Sequence, residues 1–147
     1  MIRSGKEEDI PRITEMLEDM KNASDYKDNE FCIDTVADVC RRCLGDGLLS
    51  VMEVDGVVQG FVGGVEGLLL FNRNIKTGHE LAWWVDPDHR QGGAGYNLLS
   101  HIEGLARLKG IKHWNMGLHM ASMPEVLEKL YEKMGYTKNE VIYSRVL

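Results

Sequence analysis

The chain has 147 residues, a length that one hydrophobic core can serve, and its 44% hydrophobic and 27% charged residues are ordinary for a globular domain, so it reads as a single domain over 1–147. A net charge of −6 and an isoelectric point near 5.3 argue against a general nucleic-acid binder and suit a cationic partner. No stretch approaches the ~18 apolar residues needed to span a bilayer, and the polar start lacks a signal peptide's apolar core; the expectation is a cytoplasmic protein with no membrane contact.

The elements alternate in type. A short strand around Ile2 precedes a helix over residues 9–20, read from Ile10, Ile13, Met16, Leu17 and Met20, with Pro11 tolerated in its first turn. Residues 21–30 are polar and read as a loop. A second helix over 33–44 carries Ile33, Val36, Ala37, Cys40, Cys43 and Leu44 on one stripe, so the C-x-x-C at Cys40 and Cys43 reads as two core thiols. A zinc site would need a second ligand pair at matching spacing, and Cys32 does not supply one; no metal is expected.

Gly45-Asp46-Gly47 stops that helix. A strand over 48–54 then turns through Asp55-Gly56, a strong hairpin signal, into another from Val57. Gly60, Gly63, Gly64 and Gly67 in this strand admit a bulge or a closely packed neighbour. Residues 72–78 read as a loop, 79–85 as a strand, 93–109 as a helix and 111–118 as a strand. Ser122 is placed to cap a last helix that has Pro124 in its first turn and Val126, Leu127, Leu130 and Met134 as its stripe. Gly135 ends it, and the remainder alternates as a closing hairpin through Lys138-Asn139.

The chemistry concentrates between the strand over 79–85 and the third helix. Val85-Asp86-Pro87 ends a strand, Arg90-Gln91-Gly92-Gly93-Ala94-Gly95 follows, and an apolar helical run begins at Tyr96. Glycines let the backbone turn tightly while the new helix directs unpaired N–H groups and its positive dipole end outward, which makes an anion cradle with Arg90 as a side-chain clamp.

The run from Glu80 to Gly95 resembles the central motif of the GNAT superfamily of N-acetyltransferases: Gln or Arg, two residues, Gly, one residue, then Gly or Ala, met here by Arg90, Gly93 and Gly95. Ile2-Arg3 with Glu8-Asp9-Ile10-Pro11 is similar to the family's opening strand and helix, and Leu130-Tyr131-Glu132-Lys133-Met134-Gly135-Tyr136 to the end of its last helix. The resemblance implies a mixed α/β fold: a mostly antiparallel central sheet, about four flanking helices, and a splayed strand pair that forms the cofactor cleft. It also implies acetyl coenzyme A as co-substrate, with pantetheine along Trp83, Trp84 and Val85 and the phosphates over Arg90, Gln91, Gly92, Gly93, Ala94, Gly95 and Tyr96. Packing of the large rings is an equal reading for the tryptophans.

Acetyl transfer to an amine needs a base, because an ammonium with pKa near ~10 cannot attack, and an acid for the departing thiolate. Tyr131 matches the family's acid position. Glu80 is favoured as base over His119, and both over His79, whose side chain would face the cleft instead if a bulge exchanged the strand's faces. Relatives often carry asparagine seven residues before the tyrosine, where this chain has Pro124, and Asn115 is not a clear substitute. The acceptor region implied by the resemblance spans residues 26–31 and 71–76. Asp25, Asp28 and Glu30, in and beside the first of these segments, would attract a cationic amine, but a solvated loop explains them as well. The two readings are an N-acetyltransferase acting on a primary amine and a non-catalytic coenzyme-A-binding or interaction domain; a homodimer is left open.

Overall fold

The computed structural model describes residues 1–119 and 123–147, so Ser122 and its expected cap lie outside the described residues. The chain packs as two compact units, residues 1–117 and 118–147.

The first unit is a five-stranded sheet with helices on both faces. In chain order it runs β1 (Ile2–Ser4), α1 (Ile10–Asn22), α2 (Ile33–Gly45), β2 (Leu49–Val54), β3 (Val57–Leu69), β4 (Asn72–Val85), α3 (Ala94–Leu108) and β5 (His113–Asn115). The strands lie in sequence order; β1 to β4 pair antiparallel and β5 joins β4 parallel. With α4 (Pro124–Lys133) in the second unit, this is the mixed, mostly antiparallel sheet with four helices expected from sequence.

Strand alternation assigns the two faces. A Cβ at Gly63 would meet Cys43 of α2, whereas one at Gly60, three residues earlier, would meet Leu98 of α3, so the two positions point to opposite sides. Ile10, Ile13, Met16, Cys40 and Cys43 pack with Val51, Phe61 and Ala82 on the first face. Leu98, Leu99 and Ile102 are fully buried on α3, each such side chain contributing roughly 1.5–3 kcal/mol. The predicted core thiols are therefore in place, and burial pushes Cys40 up to about 11 and Cys43 up to about 12. Arg3 clips β1 to the start of α1 through a forked pair with Asp9 (2.7 and 2.9 Å), and it also holds Glu53 of β2.

Three expectations need correction. Residues 72–78 are strand and not loop, because Lys76 and Thr77 pair with Leu68 and Gly67 and extend the β3–β4 hairpin. The last strand of this unit covers three residues, shorter than the predicted 111–118. The closing hairpin is absent: residues 136–147 form neither helix nor strand, Lys138 pairs with Glu128 of α4, and Val141, Ile142 and Tyr143 are exposed.

Candidate active site

β4 and β5 stay together only briefly. Thr77, Gly78 and His79 pair with His113, Trp114 and Asn115, after which β4 runs on through Glu80–Val85 without β5 beside it. Asn115 closes the paired end by donating its Nδ2–H to the Gly78 carbonyl (3.2 Å). The predicted splayed pair is this opening.

Its first residue is Glu80. The Gly117 N–H donates to Glu80 Oε2 (2.9 Å), so the carboxylate and the chain beyond β5 touch across the base of the split. Burial pushes the Glu80 carboxyl up to about 7, while the Gly117 N–H acts in the opposite direction by favouring the charged form. A carboxyl titrating there is suited to take a proton at neutral pH.

A β-bulge follows at once. Gly63 pairs with Ala82 and Gly64 with Glu80, so Leu81 is an extra residue on β4. The bulge exchanges which backbone groups face which edge. Asp86 N–H donates to Gln59 of β3 (2.8 Å); by alternation Trp84 also turns its backbone groups to β3, while those of Trp83 and Val85 are directed to the split. Ahead of the bulge His79 is exposed, and its Nε2 lies 3.2 Å from Thr77 Oγ1, on the face opposite Glu80. Glu80, and not His79, is thus the side chain beside Gly117.

Past Val85 the backbone makes a 3₁₀ turn at Pro87–His89 and enters the glycine turn. Gly92 and Gly93 hold φ of 68° and 81°, left-handed values that suit glycine, and Gly93 is the N-cap of α3 without a side-chain cap. A Cβ at Gly92 would meet nothing within 4 Å, and one at Gly93 only Asn97 Nδ2 at 3.9 Å. The cradle is therefore open above, with the N–H groups of the first turn of a 15-residue helix at its floor, which fits a phosphate group. Ala94 itself is buried in the packing of α3, while Tyr96 is half exposed.

Arg90, expected as a side-chain clamp, also ties the turn to the strand end. Its Nε–H donates to the Val85 carbonyl (2.8 Å) and its guanidinium lies 4.5 Å from the Trp84 ring centre. Trp84 in turn donates to Asp86 (3.2 Å), which Arg12 of α1 also holds, so strand end, turn and first helix are tied in one polar chain. Trp84 is partly buried against the α1–α2 core, the packing reading of that ring.

The remaining candidates lie in the second unit. His119 is exposed; Tyr131 is 9% exposed on α4, with its ring 5.5 Å from that of Tyr136 at a 46° tilt. Pro124 occupies the first turn of the same helix. Two residues of the first unit were not singled out from sequence. Gly117 has no local signature, since only the fold brings its N–H to Glu80. Trp114 was legible only as a large ring in the strand expected over 111–118. Among the described residues no cluster of three or more His, Cys, Asp or Glu side chains is arranged to hold a metal ion, and no helix is long and apolar enough to cross a membrane.

Known proteins share the fold. A family model described as acetyltransferase (GNAT) domain matches residues 45–138. No curated protein matches the sequence. Among solved structures, a GCN5-related N-acetyltransferase from Ralstonia eutropha JMP134 is similar at 22% identity and a TM-score of 0.77, over 99% of this chain and 97% of the other. A predicted acetyltransferase with acetyl-CoA from Clostridium acetobutylicum is 13% identical with a TM-score of 0.78, over 99% and 95%. A ribosomal-protein-alanine N-acetyltransferase from Brucella melitensis biovar Abortus 2308 is 19% identical with a TM-score of 0.74, over 100% and 99%. At these identities the likeness is one of fold.

Proposed function

The chain belongs to the GNAT acetyltransferase family, and from that premise we propose that it transfers an acetyl group from acetyl coenzyme A to a primary amine by direct attack in a ternary complex. The observation that carries this reading is the join of three features on one strand: an opening beside β4, a carboxyl at its base titrating near neutrality, and an open left-handed glycine turn at its far end. The structures of similar fold support acetyl coenzyme A as the donor, one of them being described with acetyl-CoA.

In this reading the pyrophosphate of the donor lies on the turn of residues 91–96, and pantetheine runs beside the backbone of Trp83 and Val85. Glu80 takes the proton of the incoming ammonium, directly or through one water. The amine lone pair then adds to the acetyl carbonyl carbon, the carbon–sulfur bond breaks, and the departing thiolate takes the Tyr131 phenol proton; the second proton that the nitrogen loses on becoming an amide is returned through water to the Tyr131 phenolate. His119 is the competing base. The acceptor is cationic, drawn by a chain of net charge −6, and the exposed Asp25, Asp28 and Glu30 are its first attraction.

Purified protein with acetyl coenzyme A and a panel of primary amines, followed by thiol release and by mass of the acetylated product, tests the proposal. Amine-dependent thiol release with a matching product supports it; coenzyme A binding without release for any amine overturns it. That second outcome is the signature of a coenzyme-A-binding module without turnover, a reading favoured by Pro124 where relatives often carry asparagine.

A further inference from the structure

Trp114 lies flat on the sheet in the space that two glycines leave. A Cβ at Gly78, its partner on β4, would sit 2.6 Å from Trp114 Cζ3, and one at Gly64 of β3 would sit 2.5 Å from Trp114 Cη2. Neither position could carry a side chain with the indole in place. Gly64 is the direct partner of Glu80, and Gly78 precedes Glu80 by two residues on the same face, so the positions that the ring covers flank the Glu80 side chain along the strand and across it. The indole N–H is engaged with Met116 Sδ at 3.1 Å, which leaves the ring an apolar surface toward its neighbours.

We infer that Trp114 is a positioning residue for this site: its indole, bedded on Gly64 and Gly78, shields one side of the Glu80 carboxyl from water and keeps it turned to the Gly117 N–H. The inference rests on the reading of Glu80 as base. Charged and titratable groups of β3, β4, β5 and α3 are engaged elsewhere or turned away. Glu66 of β3 is held by Lys76 (3.0 Å) and Lys109 (3.6 Å), His79 of β4 faces Thr77, and His113 of β5 alternates away from Trp114. On α3, His101 is bonded to Ser50 (2.7 Å) and Glu103 to Arg107 (2.8 Å). Burial is accordingly the leading influence on Glu80, and an apolar wall is what supplies burial.

The test is a carbon-13 NMR titration of glutamate carboxyls in the parent, Trp114→Phe and Trp114→Ala, with the Glu80 signal assigned by its loss in Glu80→Gln, alongside the pH dependence of kcat/KM. Trp114→Ala should lower the Glu80 midpoint by about one unit or more toward the ordinary carboxylate range. Trp114→Phe, whose smaller ring withdraws from Gly64, should lower it by less, about half a unit, and serves alone if the alanine variant does not fold. An unchanged midpoint in a folded variant overturns the inference. A midpoint that moves while the low-pH limb of kcat/KM stays fixed supports Trp114 as the wall and overturns Glu80 as the base.

Discussion

Glu80 carries the sharpest consequences at the scale of single residues. Its carboxyl titrates near 7 in the folded chain, above the ~4.3 of an exposed glutamate, so the native state holds that proton more tightly than the unfolded state does. Stability contributed by this group is full below the unfolded value and declines as pH rises through the window up to about 7, where the cost of a buried charge is complete. Glu80→Gln keeps an acceptor for the Gly117 N–H and removes that charge. Urea unfolding should therefore find the variant about 1–3 kcal/mol more stable than the parent at pH 8, with the gap closing toward pH 4. Tyr131→Phe makes a second test, because the ring's packing on α4 survives while the phenol proton is lost. In the proposed reaction kcat should fall ~10²-fold with little change in coenzyme A affinity, and a parental rate would leave Tyr131 structural.

Among the elements, the turn into α3 is the part whose geometry was most legible in sequence. Arg90, Gly93 and Gly95 were recognisable by spacing, and the left-handed φ at Gly92 and Gly93 is the conformation that such glycines exist to permit. Gly93→Glu should weaken coenzyme A binding about 10-fold or more by calorimetry, since it adds strain at φ of 81° and a negative charge over the helix start. Gly93→Asn, which tolerates the left-handed region, should weaken it less. Equal affinities for all three proteins would remove the turn from the donor site. The neighbouring bulge was legible only as a tendency. Glycines in β3 signalled a bulge or a close neighbour and both occur at Gly64, but the extra residue is Leu81 on the facing strand, fixed by a long-range register that no local pattern encodes. Arg90 carries contacts that its spacing did not announce, since only tertiary proximity gives its Nε–H to Val85 and sets its guanidinium over the Trp84 ring.

For residues 1–117, helix positions followed from apolar periodicity, because the stripes of α1, α2 and α3 had a sheet to bury against. Strand lengths did not follow, since the extent of β4 depends on its partner β3 and the brevity of β5 on where the chain leaves the sheet. The core assignment has a direct check. Cys40 and Cys43 are buried and their thiols are held up at about 11 and 12, whereas Cys32 is exposed, and its bond with Thr35 lowers it. A disulfide reagent at pH 8 should label Cys32 rapidly in native protein and reach the other two only in denaturant; fast labelling of all three would contradict the packing of α2. The central claim is that this fold holds a base at the opening beside β4, and the pH profile of kcat/KM for acetylation of an amine, compared between the parent and Glu80→Gln, tests it most directly. The account predicts a parental rate that rises with pH through a midpoint near 7, and a Gln variant slower by ~10²-fold that lacks this limb and recovers only as the amine itself loses its proton. A folded Glu80→Gln variant with the parental rate and the parental limb would contradict it.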